Sequence, residues 1–131
     1  MRILLNVLTG IIALLHLWFL TLEMFLWQTP LGLRTFNRTP EQARDAAVLA
    51  ANQGLYNGFL AAGLVWSLLI GEVRWALRVR AFFLGCVLVA GVFGGVTASR
   101  TILVVQALPA LVALIVLGVH QRAVSRAGSR V

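Results

Sequence analysis

Four apolar runs, separated by short breaks rich in arginine, constrain this chain more than any other feature. They cover residues 3–27, 46–70, 81–98 and 102–119. A helix rises about 1.5 Å per residue, so about 20 residues cross a hydrocarbon core of about 30 Å. The composition points the same way. Of 131 residues, 60% are hydrophobic and 11% charged, against about 45–50% and about 25% in soluble domains. The mean hydropathy is +0.93. A soluble fold of this size cannot hide that much apolar surface, and a disordered chain needs low hydrophobicity. One Cys excludes a disulfide framework and a cysteine-based zinc site within one chain. The expected fold is therefore all-α: a single integral membrane domain over residues 1–131, built as a four-transmembrane-helix bundle running up-down-up-down.

The borders of the runs carry the topology. Arg2 precedes the first run, as in a signal peptide, but the run carries Glu23 and lacks a small-residue cleavage site, so it reads as a retained helix. Trp27 suits an interface anchor. Residues 28–39 read as a polar loop. Thr39-Pro40-Glu41-Gln42 then has the form of a capping box with proline at the first helical position. A second helix is expected to start there in water, enter the membrane near Ala46 and run to Ile70. Residues 71–74 form the next turn, and Trp75 to Arg80 reads as interfacial. Ser99-Arg100-Thr101 is too short for anything but an antiparallel connection.

All eleven basic residues are Arg, and the net charge is +7. They lie between apolar runs rather than in a stripe with interleaved aromatics, which argues against nucleic acid and for lipid headgroups as partners. With four spans, Arg2, Arg74, Arg78, Arg80, Arg122, Arg126 and Arg130 share one side. Arg34, Arg38, Arg44 and Arg100 share the other. The positive-inside rule then places both termini in the cytoplasm. Arginine without lysine, beside abundant Ala, Gly and Val, suggests a GC-rich bacterial genome, hence the bacterial inner (cell) membrane.

The informative residues are the polar ones within the spans, because an ionisable group at the bilayer centre is costly and faces the bundle interior. In the first span Asn6, Thr9, Ala13, His16, Leu20, Glu23 and Trp27 follow one helical seam. His16 and Glu23 are about 10.5 Å apart along it, too far for a direct bond. In the second, Asn52, Gln53, Tyr56 and Asn57 form one broad polar face. Thr97 ends the third, and the fourth carries Gln106 ahead of Pro109. Under the antiparallel topology Glu23, Asn52, Gln53, Tyr56, Asn57, Thr97 and Gln106 fall in the outer half of the membrane, with His16 near the middle. His16, Glu23, Asn52, Gln53, Tyr56, Asn57 and Gln106 are the expected ligand-binding residues. His16 and Glu23 supply too few ligands for a metal, and no cofactor is expected. The competing role for the amides is packing, since they also serve as interhelical glue.

The third span has two rows of small residues, Ala90-Gly94-Ala98 and Gly91-Gly95-Ser99, which admit a closely packed helix. That helix is either a neighbour in the same chain or a second copy in a homodimer. Pro109 is expected to bend the fourth span and free the carbonyl of Val105.

The run Asn52-Gln53-Gly54-Leu55-Tyr56-Asn57-Gly58-Phe59-Leu60-Ala61-Ala62-Gly63-Leu64 resembles the signature of a family of small four-helix bacterial membrane proteins, domain of unknown function thirteen-hundred-and-four. His16, Glu23 and Trp27, Gly91 and Gly94, and Gln106-Ala107-Leu108-Pro109-Ala110 are similar as well. The resemblance implies a four-helix integral membrane protein and no particular activity. Three functions fit the residues. One is a membrane-embedded site that binds or transports a small, partly apolar, lipid-like molecule. Another is a structural or accessory subunit. The third is an enzyme on a lipid-like substrate with His16 and Glu23 as acid and base.

Overall fold

The computed structural model describes residues 1–128, with side chains through 126; Arg130, assigned to the cytoplasmic side by its place in the sequence, lies outside the described residues. Within them every regular element is a helix. Helices α1 (Arg2–Met24), α2 (Pro30–Phe36), α3 (Pro40–Asp45), α4 (Ala47–Leu69) and α5 (Val73–Thr97) are followed by a π-helical turn (Leu103–Ala107) and α6 (Leu108–Gly128).

Three helices are long and apolar enough to cross a membrane: Arg2–Met24, Val73–Thr97 and Leu103–Arg126. The expected count of four is therefore corrected to three on this criterion. The remaining run is helical and equally long, as α4, but Asn52, Gln53, Tyr56 and Asn57 within six residues dilute its hydropathy. Only 28%, 33% and 22% of the three apolar stretches are buried inside the protein. Ile3, Leu14, Phe82 and Val96 are each more than three-fifths exposed. Apolar side chains in such number need a second apolar medium around the helices.

The chain forms two compact units, one of Met1–Ala13 with the chain from Ala62 onward, the other of Leu14–Ala61. In the first, glycines set the packing. A Cβ on Gly91 would lie 2.7 Å from the backbone nitrogen of Ala107, and one on Gly95 would run into Leu103. The small-residue row of α5 thus receives the chain's own π-helical turn, an intrachain use of the row. The turn ends one residue before Leu108-Pro109. Proline cannot donate to the preceding turn, and the widened turn absorbs that loss: Leu108 N–H donates to the carbonyl of Leu103, five residues back.

In the Leu14–Ala61 unit the expected polar loop is partly helical. Thr29 caps α2, and Asn37 ends it with φ 50°. The Thr39–Gln42 capping box is present in both directions: Thr39 N–H donates to Gln42 Oε1 at 3.1 Å, and Gln42 N–H to Thr39 Oγ1 at 3.3 Å. The helix it starts is α3, which stops at Ala46 instead of continuing into α4. Trp27 ties this segment together. Its indole N–H donates to the carbonyl of Ala43 at 2.8 Å, and its ring packs on Phe36 at 4.7 Å.

Candidate functional site

Within the Leu14–Ala61 unit α4 approaches α1 closely because Gly54 and Gly58 carry no side chain. A Cβ at Gly54 would lie 2.6 Å from Met24 Cγ and 3.1 Å from Glu23 Cβ, and one at Gly58 2.7 Å from Leu20 Cδ1. These distances are too short for any larger residue without displacement. The two glycines are one turn apart on α4, and Asn57 shares their face, three residues after Gly54. The approach that the glycines permit brings Asn57 Nδ2 to Glu23 Oε2, where it donates a hydrogen bond of 2.7 Å. The length is that of a charge-assisted bond.

Asn57 is buried, while Glu23 is half-buried. A carboxylate accepts at two oxygens. One Glu23 oxygen receives Asn57; the other keeps its acceptor capacity for a further donor, in water or on a bound molecule. His16 lies further along the inward seam of α1, 1% exposed, with its ring edge-on to Phe19 at 5.6 Å.

The remaining expected residues are placed differently. Asn52, Gln53 and Tyr56 are exposed on α4, and the Tyr56 ring rests against Phe59 at 6.2 Å. The polar face of α4 is therefore split, with Asn57 turned inward and the other three outward. Gln106 belongs to the other unit, where its amide donates to the carbonyl of Val87 at 3.3 Å. Thr97 returns its hydroxyl to the carbonyl of Phe93, one turn back. Among the described residues no three His, Cys, Asp or Glu side chains gather as a metal site would need.

A second polar cluster escaped the reading of the sequence, which took Arg80 as an interfacial cation. Its side chain is buried, at 4% exposure. Its guanidinium donates from Nε to Ser67 Oγ at 3.2 Å, from Nη2 to the carbonyl of Ser67 at 3.1 Å, and from Nη1 to Asn6 Oδ1 at 2.8 Å. Ser67 itself donates to the carbonyl of Leu64 at 2.6 Å. The available signal was Ser67, a hydroxyl near the end of an apolar run, set against an arginine just past the next turn.

An all-helical chain with three helices of membrane-crossing length, and a carboxylate–amide pair joining two of its long helices, has the build of a helical membrane protein. It belongs to the family described as protein of unknown function (DUF1304), whose model matches residues 10–118. The chain is similar to the uncharacterized protein YpaA of Lactococcus lactis subsp. lactis (strain IL1403). The two are 31% identical over 117 residues, which span 88% of this chain and 97% of that protein. No solved structure matches it. The residues that carry the family signature, from His16 to Ala110, all fall inside the matched segment.

Proposed function

We propose that this is an integral protein of the bacterial inner membrane that binds a small, partly apolar molecule at the Glu23–Asn57 pair, for transport or sensing. In this reading α1, α4, α5 and α6 all cross the bilayer, with both termini in the cytoplasm. The polar α4 is carried across because its inward amide is satisfied by α1 and its length equals that of α1, 23 residues each. An isolated helix with so many polar groups would insert poorly.

The observation that carries the reading is the bond from Asn57 to Glu23. A carboxylate is an expensive means of joining two helices in lipid, where an amide pair would serve. A carboxylate is useful where a polar or cationic group of a ligand must be met, and Glu23 retains one oxygen for it. Asn52, Gln53 and Tyr56 lie exposed on the same stretch of α4.

The test is a comparison of what travels with the protein. Wild type and Glu23→Gln are purified in a non-ionic detergent, extracted with organic solvent and compared by mass spectrometry. A small molecule retained by the wild type and lost from a folded Glu23→Gln supports the site. Identical extracts from the two would leave the pair as interhelical glue and overturn the reading.

A further inference from the structure

We infer that the cavity beside Arg80 is an anion site, shaped for a phosphate group. This lies in the unit of residues 1–13 and 62 onward and does not depend on the role of Glu23. The cavity measures about 200 Å³ and is lined by Arg2, Asn6, Ser67, Gly71, Arg80 and His120, among others. At about 30 Å³ per water molecule it has room for several, and so for a compact oxyanion.

The charge balance around it is one-sided. Arg80 is buried, yet its three hydrogen bonds go to a side-chain amide, a hydroxyl and a carbonyl, all of them neutral. An exposed ion pair joins Glu41 and Arg44, away from Arg80 in the sequence. The chain has four acidic residues. Glu23, Glu41 and Asp45 belong to the other unit. Glu72, the one acid of this unit, spends its carboxylate on the N–H groups of Arg74 and Trp75 at the start of α5. The carbonyl of Ser67 lies in the last turn of α4, where the helix dipole offsets only part of a unit charge. A buried guanidinium without a counter-charge is costly.

A guanidinium has five N–H groups, and three are used here, which leaves two for a ligand. Arg2 and His120 line the same cavity and are cation-capable donors. A planar fork with two donors to spare, flanked by a second arginine and a histidine, fits tetrahedral oxyanions better than a lone ammonium would. The phosphate can belong to a lipid headgroup or to a soluble phosphate compound, and the chemistry that recognises it is the same.

The test uses the full chain in dodecyl maltoside, which carries no phosphate. Thermal unfolding is followed against inorganic phosphate and, separately, against phosphatidylglycerol in mixed micelles. Sodium chloride at matched ionic strength is the control. At least one phosphate probe should raise the melting temperature beyond the chloride control. Phosphatidylglycerol acting alone identifies a headgroup site, whereas inorganic phosphate acting too identifies a site open to soluble ligands. Arg2→Gln with His120→Gln leaves the Arg80 hydrogen bonds in place and should bind the effective probe about tenfold more weakly. Arg80→Lys keeps the charge but loses the fork, and should weaken binding by a similar factor. A melting temperature that neither probe moves beyond chloride overturns the site, as does a response in both variants equal to the wild type.

Discussion

Asn57 and Glu23 are 34 residues apart in the chain, on different helices, and share a hydrogen bond of 2.7 Å. The bond depends on two glycines flanking Asn57, since Gly54 and Gly58 let the backbone of α4 come close enough for a short amide to reach. Packing and polar chemistry are therefore coupled here. A change in either glycine acts on the carboxylate, and a change in the amide acts on the helix contact.

Asn57→Leu should destabilise the protein by about 1–3 kcal/mol, because it leaves a half-buried carboxylate without its donor. Glu23→Gln preserves an acceptor for Asn57 and should cost less than about 1 kcal/mol. Thermal unfolding of the purified variants measures both. Equal losses in the two would mean that the charge of Glu23, and not its acceptor oxygen, maintains the contact.

The glycines sort into two groups. Gly58→Leu should destabilise by about 1–3 kcal/mol through overlap with Leu20, and Gly95→Leu similarly through overlap with Leu103. A Cβ on Gly118 or Gly10 meets nothing within 4 Å. Gly118→Ala should be neutral or stabilise slightly, since alanine is the better helix former. Unchanged melting temperatures in Gly58→Leu and Gly95→Leu would refute the close approach at these two points.

Thr39→Ala removes one arm of the capping box and should cost about 1 kcal/mol. The loss should be local. Hydrogen exchange ought to accelerate over residues 40–45 and leave the interior of α4 unchanged, because α3 and α4 are separate helices. Acceleration that spreads into α4 would show the two behaving as one cooperative element.

The proposed topology puts the α4–α5 turn in the cytoplasm and the α5–α6 connection outside. With Cys86→Ser as background, a cysteine replacing Ser99 should react with a membrane-impermeant maleimide in intact cells. A cysteine replacing Gly71 should react only after permeabilisation. The opposite pattern would invert the orientation.

The features legible in the sequence were local ones. The Thr39–Gln42 box is specified by four consecutive residues. The seam of α1 through Thr9, Ala13 and His16 follows from helical spacing, and all three are buried. The glycine row of α5 announced a close neighbour. The features that could not be read depended on distant partners. Arg80 is buried because Asn6, 74 residues away, accepts from it, and no periodicity encodes that. Helix α2 contains Gly32 and Thr35, both weak helix formers. Its place is set by Trp27 packing on Phe36 and by the backbone crowding Gly32. The four polar residues of α4 share a stretch but not a face, because the glycine pair decides which way the helix turns, and only Asn57 lies on the glycine side.

The π-helical turn at Leu103–Ala107 also fixes a phase relation along the last long helix. A π turn holds one residue more than an α turn, so it works as a built-in insertion. Removing Val104 would let the segment from Leu103 to Leu108 close into regular α-helix, and because the widened turn takes up its extra residue locally, the segments on either side would keep their phase. What would be lost is the local widening at the place where Leu103 meets Gly95 and the backbone of Ala107 meets Gly91. The extra residue thus works like a shim: it thickens one turn where α5 comes closest and leaves the rest of the helix in register.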